Sequence, residues 1–267
     1  MDVIVINKEY VVLFERLVSH GVLCSLLAYL GVQTPLCANQ PTTRSSFSDY
    51  VVTVSAGPAW TTAGHTQTFY LQPDIQNTYD ATNKTTILGS SEIFLGVQRV
   101  LSEQLSGQLG VAAGGSGVAK LSGDIWQDAD PDYNNFNYSY HVNQFSLTVK
   151  GTLIAEDTLI PMAVKPYLSG GLGVGFNRAY NYQANPSLFQ AIAAPGFTDK
   201  TVTAFTYTIG AGIQKPVSAH WQVGLGYEFA DWGHSVLGAA WGQTTESGLR
   251  LSHLYTNELQ FSLSYLA

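Results

Sequence analysis

From Trp221 to Phe229 every second residue is large and apolar: Trp221, Val223, Leu225, Tyr227 and Phe229. Between them stand Gln222, Gly224, Gly226 and Glu228. Side chains of a strand point alternately to its two faces, so this segment has one greasy face and one polar or glycine face. Seven more segments alternate in the same way, over 50–60, 86–100, 105–117, 137–154, 164–177, 204–217 and 257–267. Their apolar sets include Val52, Val54, Ala56 and Trp60; Phe205, Tyr207, Ile209 and Ile213; and Leu259, Phe261, Leu263 and Tyr265. The opposite sets hold Thr53, Ser55, Gln108, Thr206, Thr208, Gln214, Glu258 and Gln260. Two segments break the pattern. Phe94 has the wrong parity, and between Val142 and Phe145 the apolar phase changes, which predicts a bulge there.

The glycine run PYLSGGLGVGF (166–176) obeys the same rule. Its spacing approaches a dinucleotide fingerprint, but that motif needs a helix opening at its last glycine, and NRAYNYQANP follows instead. Leu168, Leu172, Val174 and Phe176 share one parity, and Gly171, Gly173 and Gly175 the other. The reading is a strand whose second face must be narrow.

Connections constrain the assembly further. The gaps 61–85, 118–136, 178–203 and 232–256 are long, whereas 101–104, 155–163 and 218–220 are short. Long and short alternate strictly, so all long loops lie at one end and all turns at the other. This is how transmembrane barrels of the outer-membrane type are built. A closed barrel also pairs every backbone polar group within lipid. Only 12% of the residues are charged, about half the usual share. That fits strands with one face in lipid, and the net charge of −7 argues against nucleic acid. Aromatic residues give a third sign. Trp60, Tyr138, Phe205, Phe229 and Trp232 fall at the long-loop end, with Trp221 and Tyr265 at the turn end, as two interfacial girdles would. A soluble lipocalin-like barrel, the alternative, turns its apolar parity inward.

The first 38 residues read as a secretory signal. Lys8 and Arg16 precede an apolar run over 21–32, and cleavage is expected after Ala38. Cys24 and Cys37 both lie within that segment, so the mature chain would have neither disulfide nor thiolate metal site. The expected organisation is a signal peptide (1–38), a short segment (39–48) and a barrel (49–267).

The strand–turn unit TIGAGIQKPVSAHWQVGLGYEFADWG (208–233) and the closing NELQFSLSY resemble the small eight-stranded outer-membrane barrels. That family includes the transmembrane domain of outer-membrane protein A and the opacity-type surface proteins. The resemblance covers roughly residues 49–267 and implies an all-β, antiparallel, up-and-down transmembrane β-barrel in the bacterial outer membrane. It also implies insertion by the barrel-assembly machinery, which reads the terminal strand. Here that strand ends Tyr265-Leu266-Ala267, with alanine where the family places an aromatic.

Inside such a barrel, parity assigns a lumen polar network of Glu92, Lys165, Glu228 and Glu258 with Gln108 and Gln214, in which Lys165 offsets carboxylate charge. Eight strands leave an interior just wide enough for side chains to fill; a narrow ion path is the alternative. Some small outer-membrane barrels of this size are lipid A hydrolases. Here the candidate pairs would be His234 with Ser235, or Ser252 with His253, near Glu246 or Glu258, but adjacent strand residues diverge. DIWQDADPDYN (124–134) has Asp at alternate positions without the glycine and final Glu of a calcium loop. No catalytic residue, cofactor or metal is therefore expected. Four loops rich in Asn, Thr, Tyr and Gly have the composition of adaptable contact surfaces. The expected role is non-enzymatic display at the cell surface, in adhesion or envelope integrity. The expected partners are outer-membrane lipid, lipopolysaccharide and a host or extracellular ligand.

Overall fold

A computed structural model describes residues 49–156, 164–187, 196–240, 242 and 247–267. The expected signal peptide and the 39–48 segment lie outside the described residues. Thirteen strands are numbered in chain order: β1 Asp49–Thr62, β2 Gln67–Gln72, β3 Ile75–Ala81, β4 Thr85–Ser102, β5 Leu105–Gln127, β6 Asn134–Ala155, β7 Lys165–Pro186, β8 Phe197–Thr198, β9 Lys200–Pro216, β10 Trp221–Asp231, β11 Ser235–Ala240, β12 Ser247–Leu251 and β13 Tyr255–Leu266.

Eight of them form a closed ring in the order β1, β4, β5, β6, β7, β9, β10, β13, every pair antiparallel. The last strand closes on the first, from Val51↔Leu266 to Trp60↔Asn257. These are the eight alternating segments, and their apolar parity faces outward. Val54, Val111, Val149, Leu172, Phe205, Ile209 and Phe261 are all exposed on the outer wall.

Three strands outgrow the expected lengths. β5 continues to Gln127, β6 begins at Asn134 and β7 continues to Pro186. The predicted phase change in β6 proves not to be a bulge in that strand. β6 keeps one inward parity throughout, from Phe136 and Tyr138 to Lys150 and Ile154. What changes is the chemistry of its faces. Below Gln144 the inward residues are polar as far as Thr152, with Ile154 at the turn end, and the outward ones apolar; above it the inward set is Phe136, Tyr138, Tyr140 and Val142, and the outward set is Asn137, Ser139, His141 and Asn143. The bulge lies in the partner: Ser116 pairs with Gln144 but Ala119 with Val142, so β5 carries one extra residue and its inward parity switches from even to odd.

The strand therefore leaves lipid for water at about Gln144, and the apolar face moves from outside to inside. Above that level the wall is covered by folded structure where the sequence showed only loops. The β2–β3 hairpin extends the wall by pairing β3 with β5, Asn77↔Gln127 to Ala81↔Gly123. A three-stranded sheet, β12-β11-β8, lies in the remaining long connections. Between them Tyr79, Leu121, Ile125, Phe136, Val142, Phe197, Leu237 and Leu249 form a buried apolar core. This cap is an ordinary water-soluble arrangement built on the strands of the ring.

Candidate functional site

The lumen is filled. Lys150 on β6 donates from Nζ to Glu92 Oε1 of β4 (2.7 Å) and to Glu228 Oε2 of β10 (2.6 Å). Glu228 faces Glu258 across the β10–β13 pair, and Gln260 Nε2 bridges them, donating to Glu228 Oε1 (3.2 Å) and Glu258 Oε2 (3.4 Å). Thr256 Oγ1 donates to the other Glu258 oxygen (2.9 Å) and accepts from Trp232 Nε1 (2.8 Å). All members but the partly exposed Glu92 are buried, so the charges are matched by neighbours more than by water. Gln108 joins Gln98 (2.8 Å) nearer the turns, and Gln214 faces the same interior.

Lys165 is not the cation of this network. As the first residue of β7 it sits at the turn-end rim, where it pairs with Glu156, which also accepts from Ser106 Oγ (2.6 Å). Lys150 takes the central place. Burial alone would raise the Glu156 pKa; the hydrogen bonds from Lys165 and Ser106 outweigh it and hold that carboxyl below its ordinary value.

The glycine faces serve this packing. A Cβ on Gly226 would lie 2.1 Å from Tyr167 Oη, and one on Gly212 2.6 Å from the same ring. Tyr167 thus lies across the lumen where two glycines leave room for it. What remains is a cavity of about 50 Å³ lined by Thr53, Phe94, Gln108, Lys150, Tyr167 and Gln260, among others. A few waters would fill it. Below it, the wrong-parity Phe94 points inward and packs with Val51, Ala112 and Leu266, closing the turn end.

The outer wall carries rings at both borders. At the cap end Phe145 stacks on Phe176 (6.4 Å) and Phe229 on Tyr255 (5.7 Å), with Tyr207 and Phe205 beside them, and Trp60 stands half-buried near the same end of β1. At the turn end Trp221 and Tyr265 meet edge to face (5.0 Å). Tyr138 and Trp232 do not belong to the girdle. Each is only 4% exposed, within the cap core, because at their level the inward face is the apolar one. Tyr138 stacks between Tyr140 and Tyr182. Burial pushes the hydroxyls of Tyr138 and Tyr182 up, and that of Tyr79 up to about 12.

A closed antiparallel ring, polar inside, wears an apolar belt between two aromatic girdles. Only lipid covers such a belt. This chain has the fold of a transmembrane β-barrel. No family model matches it, and no curated protein does. Solved structures similar to this barrel include the outer membrane protease OmpT from Escherichia coli, with 10% identity, 85% of this chain and 100% of that one covered, and a TM-score of 0.46. The outer membrane protein OprG from Pseudomonas aeruginosa shows 12% identity over 83% and 98%, TM-score 0.43. Neisserial surface protein A shows 12% over 81% and 96%, TM-score 0.37.

Among the described residues neither His234 nor His253 hydrogen-bonds its neighbouring serine. Ser235 is buried and its Oγ has no hydrogen-bond partner, while the His234 carbonyl accepts from Asn177 Nδ2 (2.8 Å). His253 Nδ1 meets Asp231 Oδ2 (2.9 Å), and its ring lies parallel to Tyr255. Glu246 lies outside the described residues. In the aspartate run, Asp130 Oδ1 accepts from the Asp132 amide (3.0 Å) and caps the 3₁₀ turn Pro131–Tyr133. Among the described residues no group of three or more His, Cys, Asp or Glu could hold a metal.

Proposed function

We propose that this barrel is a non-enzymatic surface protein that carries a rigid folded cap out of the membrane to make contacts, in adhesion to a host or matrix component. The observation that supports it is the inversion along β6. A strand whose inward face turns from Gln144, Ser146, Thr148 and Lys150 to Phe136, Tyr138, Tyr140 and Val142 is built to hold structure above the membrane. The interior below is filled, so the outward display, and not passage, is the part with room for a partner. Outer-membrane lipid and lipopolysaccharide surround the belt in this reading, and the barrel-assembly machinery inserts it.

The test compares bacteria displaying the whole protein with bacteria displaying a version in which the β2–β3 hairpin and the β11–β12 segment are replaced by short turns. Attachment to epithelial cells and matrix-coated wells is counted at equal surface levels. Attachment should fall at least tenfold when the cap is removed. Equal attachment by both strains would sink the reading.

A further inference from the structure

Just above the cap-end girdle, the outer face of β5, β6 and β7 carries a row of cationic and donor side chains. Lys120 lies between buried Ala119 and Leu121, His141 between buried Tyr140 and Val142, and Arg178 between buried Asn177 and Ala179. Successive residues of a strand point to opposite faces, so Lys120, His141 and Arg178 all point outward. The register sets them side by side. Lys120 is opposite His141, His141 opposite Tyr180, and Asn143 opposite Arg178. Residues directly opposite share a face, with Cβ atoms about 5 Å apart.

Contacts join the row into one cluster. The His141 and Tyr180 rings are 5.6 Å apart, and the Arg178 guanidinium lies over the Tyr180 ring at 4.9 Å. β7 bulges here: Ser139 pairs with Gln183 but His141 with Tyr180, and Asn181 in the extra length has a φ of 55°. That left-handed backbone, which Asn tolerates, accompanies a contact of Asn181 Nδ2 with His141 Nδ1 (3.1 Å). An amide nitrogen only donates, so the ring's own hydrogen is on Nε2. Asp199 accepts from Arg178 Nη2 (3.0 Å) and from the Asn181 amide (3.1 Å). The acid thus fixes the guanidinium and leaves most of its N–H donors to a ligand. Lys120 makes no ion pair among the described residues.

Height decides what the cluster meets. Phe145 opposite Phe176 marks the girdle, and Arg178 is the next outward residue above Phe176. Two residues advance about 7 Å along a strand, which a tilt of about 40° turns into about 5 Å of height. His141, four residues above Phe145, stands about 10 Å up by the same measure. The headgroup layer on each side of a bilayer is about 5–8 Å thick. Arg178 therefore lies within that layer, with His141 and Lys120 at its outer border.

We infer that this cluster binds the phosphate of a lipid headgroup in the leaflet around the cap end. Lys120 and Arg178 supply charge, and His141 Nε2–H a further donor, for charge-assisted bonds to its oxygens. The same lipid's acyl chains run down the belt past Phe145 and Phe176, so a lipid gains contacts there that a free ion lacks. On a chain of net charge −7, a cationic spot at this height is complementary to an anionic headgroup. The inference deepens the lipid side of the proposed function and rests on the belt lying in a bilayer; it is independent of adhesion.

The experiment titrates the full barrel, folded in zwitterionic detergent, with phosphorylated lipid A and with lipid A stripped of its phosphates. Bound lipid is counted by native mass spectrometry. The phosphorylated form should bind about tenfold tighter, the worth of one charge-assisted hydrogen bond. K120Q/R178Q should bind the two forms about equally, whereas K215Q, at the turn end, should keep the preference. All three substituted side chains are exposed, and heat-modifiable mobility checks that each variant is folded. A preference unchanged in K120Q/R178Q, lost equally in K215Q or absent from the wild type overturns the inference. So does full displacement of lipid A by inorganic phosphate, which would make the ligand a free ion. If the wild-type barrel floats with lipid vesicles yet shows no preference, this site alone falls; a barrel that stays out of the vesicles takes the lipid placement with it.

Discussion

Lys150 stands between Glu92 and Glu228, which pair with no other ammonium among the described residues, and its removal leaves a buried and a nearly buried carboxylate without a cation. Breaking such a pair from one side costs about 3–5 kcal/mol. Lys150→Met should therefore lower stability by about that amount, measured by urea unfolding in lipid vesicles with tryptophan fluorescence. Adding Glu92→Gln and Glu228→Gln should recover most of the loss, since a neutral interior leaves no unpaired charge. A triple variant as unstable as the single one would show that Lys150 acts by its shape. At the rim, Glu156 has the opposite lever, pH. Its folded pKa is depressed, so its contribution is present above the unfolded value and is lost as pH falls through the folded one. Glu156→Gln should be less stable than the wild type near neutrality. The gap should close as pH drops below the ordinary carboxylate range; a gap constant down to strongly acid pH would refute the pairing with Lys165. Parity had made Lys165 the lumen cation because parity assigns a face and not a height. Lys150 carried the same signal, sharing its parity with Gln144, Ser146 and Thr148, and the segment's phase change obscured it.

At the scale of the element, alternation located every ring strand because a two-residue period between lipid and a packed lumen has no competing explanation. The ends of β5, β6 and β7 were not legible for a physical reason. A strand that crosses from lipid into water keeps its geometry while the meaning of its faces reverses, so a single hydrophobic period fits only one half. Of the two residues that parity puts in the girdle, Tyr138 sits in the other half of β6 and Trp232 just past the end of β10. The extra residue near 117–118 of β5 then shifts its parity, and glycines in GGSGV give no face to read. If the cap core is held as ordinary soluble cores are, Tyr138→Ala should cost it about 3–5 kcal/mol. The effect should be local. Hydrogen exchange in β2–β3 and β11–β12 should accelerate by orders of magnitude while the ring amides below Gln144 keep their protection. Acceleration throughout the ring would mean that cap and barrel unfold as one unit.

For the whole molecule, three blocks stand in series along the axis: Phe94 with Val51 and Leu266 at the turns, the Lys150 network at mid-height, and the apolar cap above. A pore needs all three to open together. Planar bilayer recordings of the purified protein should show no steady conductance, and a persistent unitary current would contradict the filled interior. The same protein should migrate as a compact species without heating and slow down after boiling.

The unbroken passage of β5, β6 and β7 from membrane to cap has a mechanical meaning as well. The β5–β6 ladder runs from Leu105↔Ala155 to Trp126↔Asn134 without leaving the sheet. A tug on the cap by an attached partner is directed along the strands, and the hydrogen bonds that cross them at right angles share the load together and do not open one after another. Cap and anchor are a single tensile piece on that side, joined through the β5 bulge between Ser116 and Ala119.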